Sequence, residues 1–395
     1  MKKLFVLTLA VMFGLSLSAQ EQRGYQFTDT KVLGTTPVKD QARSGTCWCF
    51  STLSFLEAEI IRNGGEPVHL SEMWVVRNIY FEKAVKYVRL HGNLNFAVGG
   101  ASHDVTHAIK EYGIVPYDVY SGMNYGTPKP AFGEIDAVLK AYVDAIIANR
   151  NRQLTTAWQE GLNGILDAYF GKMPAEFEWK GKTYTPKSYA ESLPIDMDDY
   201  VDLTSFTHHP FYTKFVLEIP DNWMWGASYN VPLDELMRTI DNALEKGYTV
   251  AWGTDVSEAG FSRTKAIGVI PETDLSQMDL SGSEAERWGK LTAAERNAAL
   301  YSFSEPRQER KITQEMRQEA FDNYLTTDDH GMLIMGTATD QNGTPYYKVQ
   351  NSWNDLPPYG GFWYFSKPFV AFKTMSIMVN KASIPADIRK KLGIK

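Results

Sequence analysis

The stretch from Asp328 to Trp353 constrains the fold more than any other part of this chain. Asp328-Asp329-His330 opens an apolar run through Gly336 that continues to Thr339, and a second run, Pro345 to Gln350, ends at Asn351-Ser352-Trp353. Asp340-Gln341-Asn342-Gly343 lies between them, and Asn-Gly between two apolar runs signals a β-hairpin. In an antiparallel hairpin the start of the first strand lies beside the end of the second, so His330 and Asn351 are brought together. The pairing centre falls between Asp340 and Gln341, slightly ahead of Asn342-Gly343, and the register therefore requires a bulge or a longer loop. Such a pair has a chemical use. The asparagine amide oxygen accepts one ring N–H and fixes the tautomer, while the other ring nitrogen is free to face a thiol.

The chain has two cysteines, Cys47 and Cys49, one residue apart. They cannot close a useful loop and are not a disulfide framework. Residues Thr36 to Ser51 pass from an extended, Pro-containing segment through small and polar residues into a helical pattern that starts near Cys47. Cys49, Leu53, Leu56 and Ile60 recur at helical spacing, and Asn63-Gly64-Gly65 supplies the stop. Cys47 thus falls on the first turn of an amphipathic helix, where unpaired N–H groups and the macrodipole favour thiolate. Cys49 reads as a small, buried, unreactive thiol.

With 395 residues, 44% hydrophobic and 22% charged, the chain can bury a full core, which excludes disorder. Its length suits two or three domains, or one domain with large insertions. A net charge of -7 without any basic run argues against nucleic acid as a partner. Lys2 and Lys3 precede an apolar stretch from Leu4 to Leu17, then Ser18-Ala19-Gln20, which reads as a secretory signal peptide over residues 1–19 and a secreted or periplasmic protein. About 14 apolar positions are too few for a membrane-spanning helix, which needs about 20, and no later segment is longer. His103 and His107, and His208-His209, lack the companion ligands of an HExxH or cysteine metal site, so no metal or other cofactor is expected.

Taken together, Gln41-(five residues)-Cys47-Trp48, His330-Gly331-Met332 and Asn351-Ser352-Trp353 resemble, in chain order, the three active-site blocks of papain-like cysteine peptidases. Histidine and asparagine follow Cys47 by about 280 and 300 residues, against about 130–150 in papain itself, leaving roughly 150 extra residues between the halves. That expansion, with Ser44-Gly45-Thr46 before the cysteine, resembles the bleomycin hydrolase and aminopeptidase C branch. Leu70-Ser71-Glu72, Gly99-Gly100, Glu111 to Pro116 and Ala251 to Val256 support it.

The resemblance implies an α+β, two-lobed fold, a helical lobe plus an antiparallel β-barrel-like lobe, filling residues 20–395. Insertions are expected at about 127–207 and 262–324: helices with a short hairpin near Gly181-Lys182 in the first, and exposed charged helices in the second. It further implies a thiol peptidase acting on peptide substrates through an acyl-enzyme. Cys47 would be nucleophile, His330 base and acid, Asn351 its orienting group, and Gln41 an oxyanion donor beside the Cys47 N–H. Asp328 and Asp329 would raise the basicity of His330. Gly99 and Gly100 would let the substrate backbone approach, and Trp353 would cover the His–Asn contact. The branch implies aminopeptidase specificity imposed by a C-terminal arm, and a hexamer. Ile384 to Lys395 shows no clear counterpart of that arm, so an endopeptidase is the alternative, followed by an inactive peptide-binding homologue.

Overall fold

The computed structural model describes residues 24–150, 153–278, 280 and 282–395. The leader read over residues 1–19 lies outside the described residues. The first half of the chain runs β1 (Phe27–Val32), α1 (Cys47–Arg62), α2 (Glu72–Arg89), α3 (Ser102–Tyr112), α4 (Gly133–Ile147), α5 (Ala157–Phe170), β2 (Phe177–Trp179), β3 (Lys182–Tyr184) and α6 (Pro186–Ser192). The second half runs β4 (Tyr200–Thr204), β5 (Lys214–Val216), β6 (Ala227–Asn230), α7 (Leu233–Glu245), β7 (Val250–Thr254), β8 (Phe261–Ser262), β9 (Ile267–Gly268), α8 (Gly282–Lys290), α9 (Ala293–Leu300) and α10 (Gln314–Asp322). It ends with β10 (His330–Asp340), β11 (Pro345–Gln350), β12 (Phe362–Ser366), α11 (Lys367–Lys373), β13 (Thr374–Asn380) and α12 (Ala386–Leu392).

Helices and sheet segregate into two lobes, an α+β papain-like arrangement. The 11-stranded sheet has the order β5-β6-β4-β13-β7-β10-β11-β12-β9-β8, with β1 also paired to β10. All pairings are antiparallel except β4 with β6 and β12 with β9. Strand alternation explains the unbroken apolar run at β10. Leu333 and Met335 point into the helical core around α1, whereas Met332 and Ile334 point into the core under α7 and α11. A central strand covered on both faces needs apolar residues at every position. Ala251 and Met378 face the helical core in the same way, against Val250, Trp252, Ile377 and Val379 on the other side.

The β10–β11 hairpin forms with Thr339 opposite Pro345 and a bulge between Ile334 and Gly336, which takes up the offset in the pairing centre. Gly343 closes the turn at a φ of 83°. Gly336 permits the crossing of β1, since a Cβ there would lie 2.3 Å from the Lys31 carbonyl oxygen.

Helix α1 starts at Cys47, and Cys49, Leu53, Leu56 and Ile60 are buried. It differs from a surface amphipathic helix in being enclosed on all sides, with Glu57 and Glu59 buried too. Partners brought from elsewhere make this tolerable. Lys39 Nζ lies 2.6 Å from Glu57 and 2.8 Å from Glu72, Glu57 accepts from the Leu70 N–H at 2.8 Å, and Glu59 accepts from Arg62 and Asn380. Arg317 on α10 departs in the same way from the expected exposed face. It is fully buried and donates to the carbonyl oxygens of Ser205, Ala371 and Phe372.

The Lys39 cluster ties the segment before α1 to both α1 and α2. Burial alone raises Glu72, but Lys39 and His69 together hold its carboxyl down at about 2. A folded-state value below the unfolded one contributes stability that is complete above pH 4.5 and disappears as pH falls toward about 2. Lys39→Met, which strands two buried carboxylates, is expected to cost about 3–5 kcal/mol in urea unfolding at neutral pH. The deficit is expected to shrink in acid, where the carboxylates are neutral in either protein.

Candidate active site

Helix α1 and strand β10 meet at the joint between the lobes. Gly331 lies there, and a Cβ on it would sit 2.8 Å from Ser51 Oγ and 3.2 Å from the Cys47 carbonyl oxygen. Glycine after His330 thus lets the first turn of α1 press onto the strand. Gly45, at a φ of 64°, turns the chain into the helix where a Cβ would meet Val98 at 2.4 Å. The result is a cleft of about 370 Å³ lined by Gln41, Cys47, Gly99, Gly100, His330 and Trp353 among others.

His330 is buried, and its Nε2 lies 2.8 Å from Asn351 Oδ1. The same oxygen accepts the Ser352 N–H at 2.8 Å, which identifies it as the acceptor and makes Nε2–H the donor. Nδ1 is left as the basic nitrogen. The Trp353 ring stacks on the imidazole with centroids 4.5 Å apart, and the Arg263 guanidinium lies 4.4 Å from the centroid of that indole.

Gln41 is set by main-chain pairing with the asparagine block. Its N–H donates to Ser352 O at 2.9 Å, Asp40 bridges to Trp353, and the Asn354 N–H donates to Lys39 O. The Gln41 side-chain oxygen accepts from Ser352 Oγ at 2.5 Å, so its –NH2 is the group left to donate toward the cleft.

Electrostatics depart from the expectation of a thiolate favoured by the helix start. Burial pushes the Cys47 thiol up to about 12; the Gly331 and Trp48 N–H groups oppose this, while the charges of Asp328 and Asp221 add to it. Burial also pulls His330 down to about 4, against the pull of Asn351 and with a small contribution from Arg263. Burial thus favours the uncharged form of both groups. Neither Asp328 nor Asp329 acts on His330, contrary to the sequence expectation. Asp329 instead accepts from the Val256 N–H and Ser257 Oγ.

The glycine pair has reasons in packing. A Cβ on Gly99 would lie 1.9 Å from Asp221 Oδ2, and one on Gly100 would lie 2.9 Å from the Trp48 ring. Trp48 Nε1 donates to Val98 O at 3.1 Å and Lys83 Nζ donates to the Ala97 and Gly99 carbonyl oxygens, which fixes this wall. Asp221, Trp252 and Ser376 also line the cleft, and no local sequence pattern marks them. The remaining histidines stand outside the cleft lining. His103 pairs with Asp202, His107 with Glu82, and His208 and His209 share Glu218, the three ligand atoms lying within 4.8 Å of one another.

Comparison with known proteins agrees with this geometry. The papain family cysteine protease profile matches residues 25–117. Aminopeptidase G of Lactobacillus delbrueckii subsp. lactis is 24% identical, with 91% of this chain and 84% of that protein aligned. Aminopeptidase C of the same organism is 22% identical over 96% and 87% of the two chains. The crystal structure of PepW from Lactobacillus rhamnosis HN001 shares the fold at a TM-score of 0.68 and 18% identity, covering 93% of this chain and 84% of that one. The chain is thus similar to papain-family cysteine proteases over residues 25–117 and shares their fold. Over nearly its whole length it is similar to aminopeptidases G and C, which supports the resemblance to the aminopeptidase C branch.

The contact between Gly331 and α1 sets the spacing of thiol and imidazole. Gly331→Ala is expected to lower turnover by about 100-fold through a displacement of about 1 Å, with little loss of fold. Hydrolysis rates alongside thermal unfolding check this.

Proposed function

We propose that this protein is an exported thiol aminopeptidase. The 2.8 Å contact of His330 with Asn351, in a cleft shared with Cys47 and Gln41, carries the reading. The Cys47 thiol gives its proton to His330 Nδ1 as Sγ attacks the substrate carbonyl carbon. The carbonyl electron pair moves to oxygen, which meets the Gln41 –NH2 and the unpaired N–H groups at the start of α1. Collapse expels the amine, which takes the proton back from His330. Water, deprotonated by the same nitrogen, then hydrolyses the thioester and frees Cys47. The named aminopeptidase relatives support removal of N-terminal residues.

An endopeptidase is the second reading, favoured by the position of α12. That helix packs on α7 through Ile388 and Leu392 and through ion pairs of Arg238 with Asp387 and of Lys391 with Glu235, and none of its residues lines the cleft. Export rests on the Lys2-Lys3 leader and its apolar stretch; among the described residues no helix is long and apolar enough to cross a membrane.

Cys47→Ala is expected to reduce hydrolysis of aminoacyl arylamides to background, and His330→Ala to lower kcat by about 100-fold or more. Unchanged turnover in either variant would sink the assignment. Because the base must be neutral, kcat/KM is expected to be flat in weak acid and to fall as pH drops through about 4. A pH–rate profile measures that limb. N-terminal sequencing of the exported protein is expected to begin within a residue or so of Gln20.

A further inference from the structure

Three aspartates gather around the start of β10, and their surroundings differ in one respect. Asp329 is capped by the Val256 N–H and Ser257 Oγ. Asp255 accepts the Ser257 N–H at 2.6 Å and the Thr327 N–H at 2.9 Å, with Lys373 Nζ 3.6 Å away. Asp328 has no such donor: the groups acting on its carboxyl are the charges of Asp221, Asp329 and Asp255, all of its own sign. It is half-buried and lines the cleft that also holds Cys47 and His330.

Its place relative to the chemistry is close. Asp328 Oδ1 lies 3.9 Å from the Cβ position of Gly253, Gly253 pairs with Gly331, and Gly331 rests on the Cys47 carbonyl. One strand spacing, about 4.8 Å, thus separates the carboxylate's seat from the strand that holds the base. Asp221, also lining the cleft, lies against Gly99, and one of its oxygens is 3.3 Å from Asn95 Nδ2. Its charge, like that of Asp328, reaches the Cys47 thiol. A half-buried carboxylate with only like charges acting on it lacks a cation.

We infer that Asp328, with Asp221 from the neighbouring wall of the cleft, receives the free α-ammonium of the substrate's first residue. The assignment rests on the peptidase reading above. An ammonium brings three N–H donors and a charge to the group that has neither. Position favours the α-amine over a basic side chain, since the α-nitrogen is two bonds from the carbonyl carbon under attack, whereas a lysine or arginine head of the preceding residue lies much farther from Cys47. Restriction to N-terminal residues then comes from a side chain within the cleft wall, with no contribution from α12.

The test compares an aminoacyl arylamide with its N-acetylated twin in wild type, Asp328→Asn and Asp221→Asn. For Asp328→Asn, kcat/KM on the free-amine substrate is expected to fall by about 10- to 100-fold, mainly through KM, with the acetylated twin unchanged within about twofold. Asp221→Asn, whose charge Lys83 partly offsets, is expected to show the same selectivity to a smaller degree. An equal fall on both substrates, or no change on either, overturns the inference while leaving the peptidase intact. A loss confined to N-blocked peptides bearing lysine or arginine overturns it in favour of a basic side-chain pocket. Wild-type protein without thiol-dependent hydrolysis of any of these substrates would instead refute the underlying reading, and the inference with it.

Discussion

The close approach of the first turn of α1 to β10 is the constraint on which the site depends. Cys47 is fixed by the helix and His330 by the strand, and Gly331 lets the two backbones come near enough for a side-chain reaction. Each element is in turn held from behind: α1 is buried through its whole circumference, and β10 lies between β7 and β11 in a sheet covered on both faces. Relaxing either by a fraction of an ångström would separate the reacting atoms while leaving every one of them present.

A second consequence is electrostatic. The packing that supplies rigidity also buries His330 and partly shields Cys47 and Asp328 from water, and desolvation is the leading influence on all three. A helix N-terminus by itself is a weak source of positive potential. Here it is opposed by desolvation and by the charges of the two nearby aspartates, which together push the thiol upward. In the proposed mechanism charge would be created only as a carbonyl arrives to share it, with the Gln41 amide as its donor.

What could be read in the sequence is what short-range pattern determines. The hairpin from His330 to Asn351 and the start of α1 at Cys47 follow from turn residues and periodicity, and the offset at Asn342-Gly343 even anticipated the bulge. Burial of Glu57, Glu59 and Arg317 was not legible, because charged residues enter a core only when partners from distant segments meet them: Lys39, Asn380 and the carbonyls of Ser205, Ala371 and Phe372. Asp221 was hidden for the same reason, since its place in the cleft depends on a contact with Gly99 formed only in the folded chain. Asp328 and Asp329 were visible as a pair and both line the cleft, yet that Asp329 alone is capped by Val256 and Ser257 is a property of the neighbouring loop.

The pairing of β1 with β10 bears on when this chemistry can exist at all. Cys47 emerges early in synthesis, while His330, Asn351 and the strand that completes the sheet come from the final part of the chain. Contacts of such sequence separation form late in folding. A growing polypeptide therefore carries Cys47 without His330 and Asn351, and the cleft is assembled only once the last strands have joined the sheet.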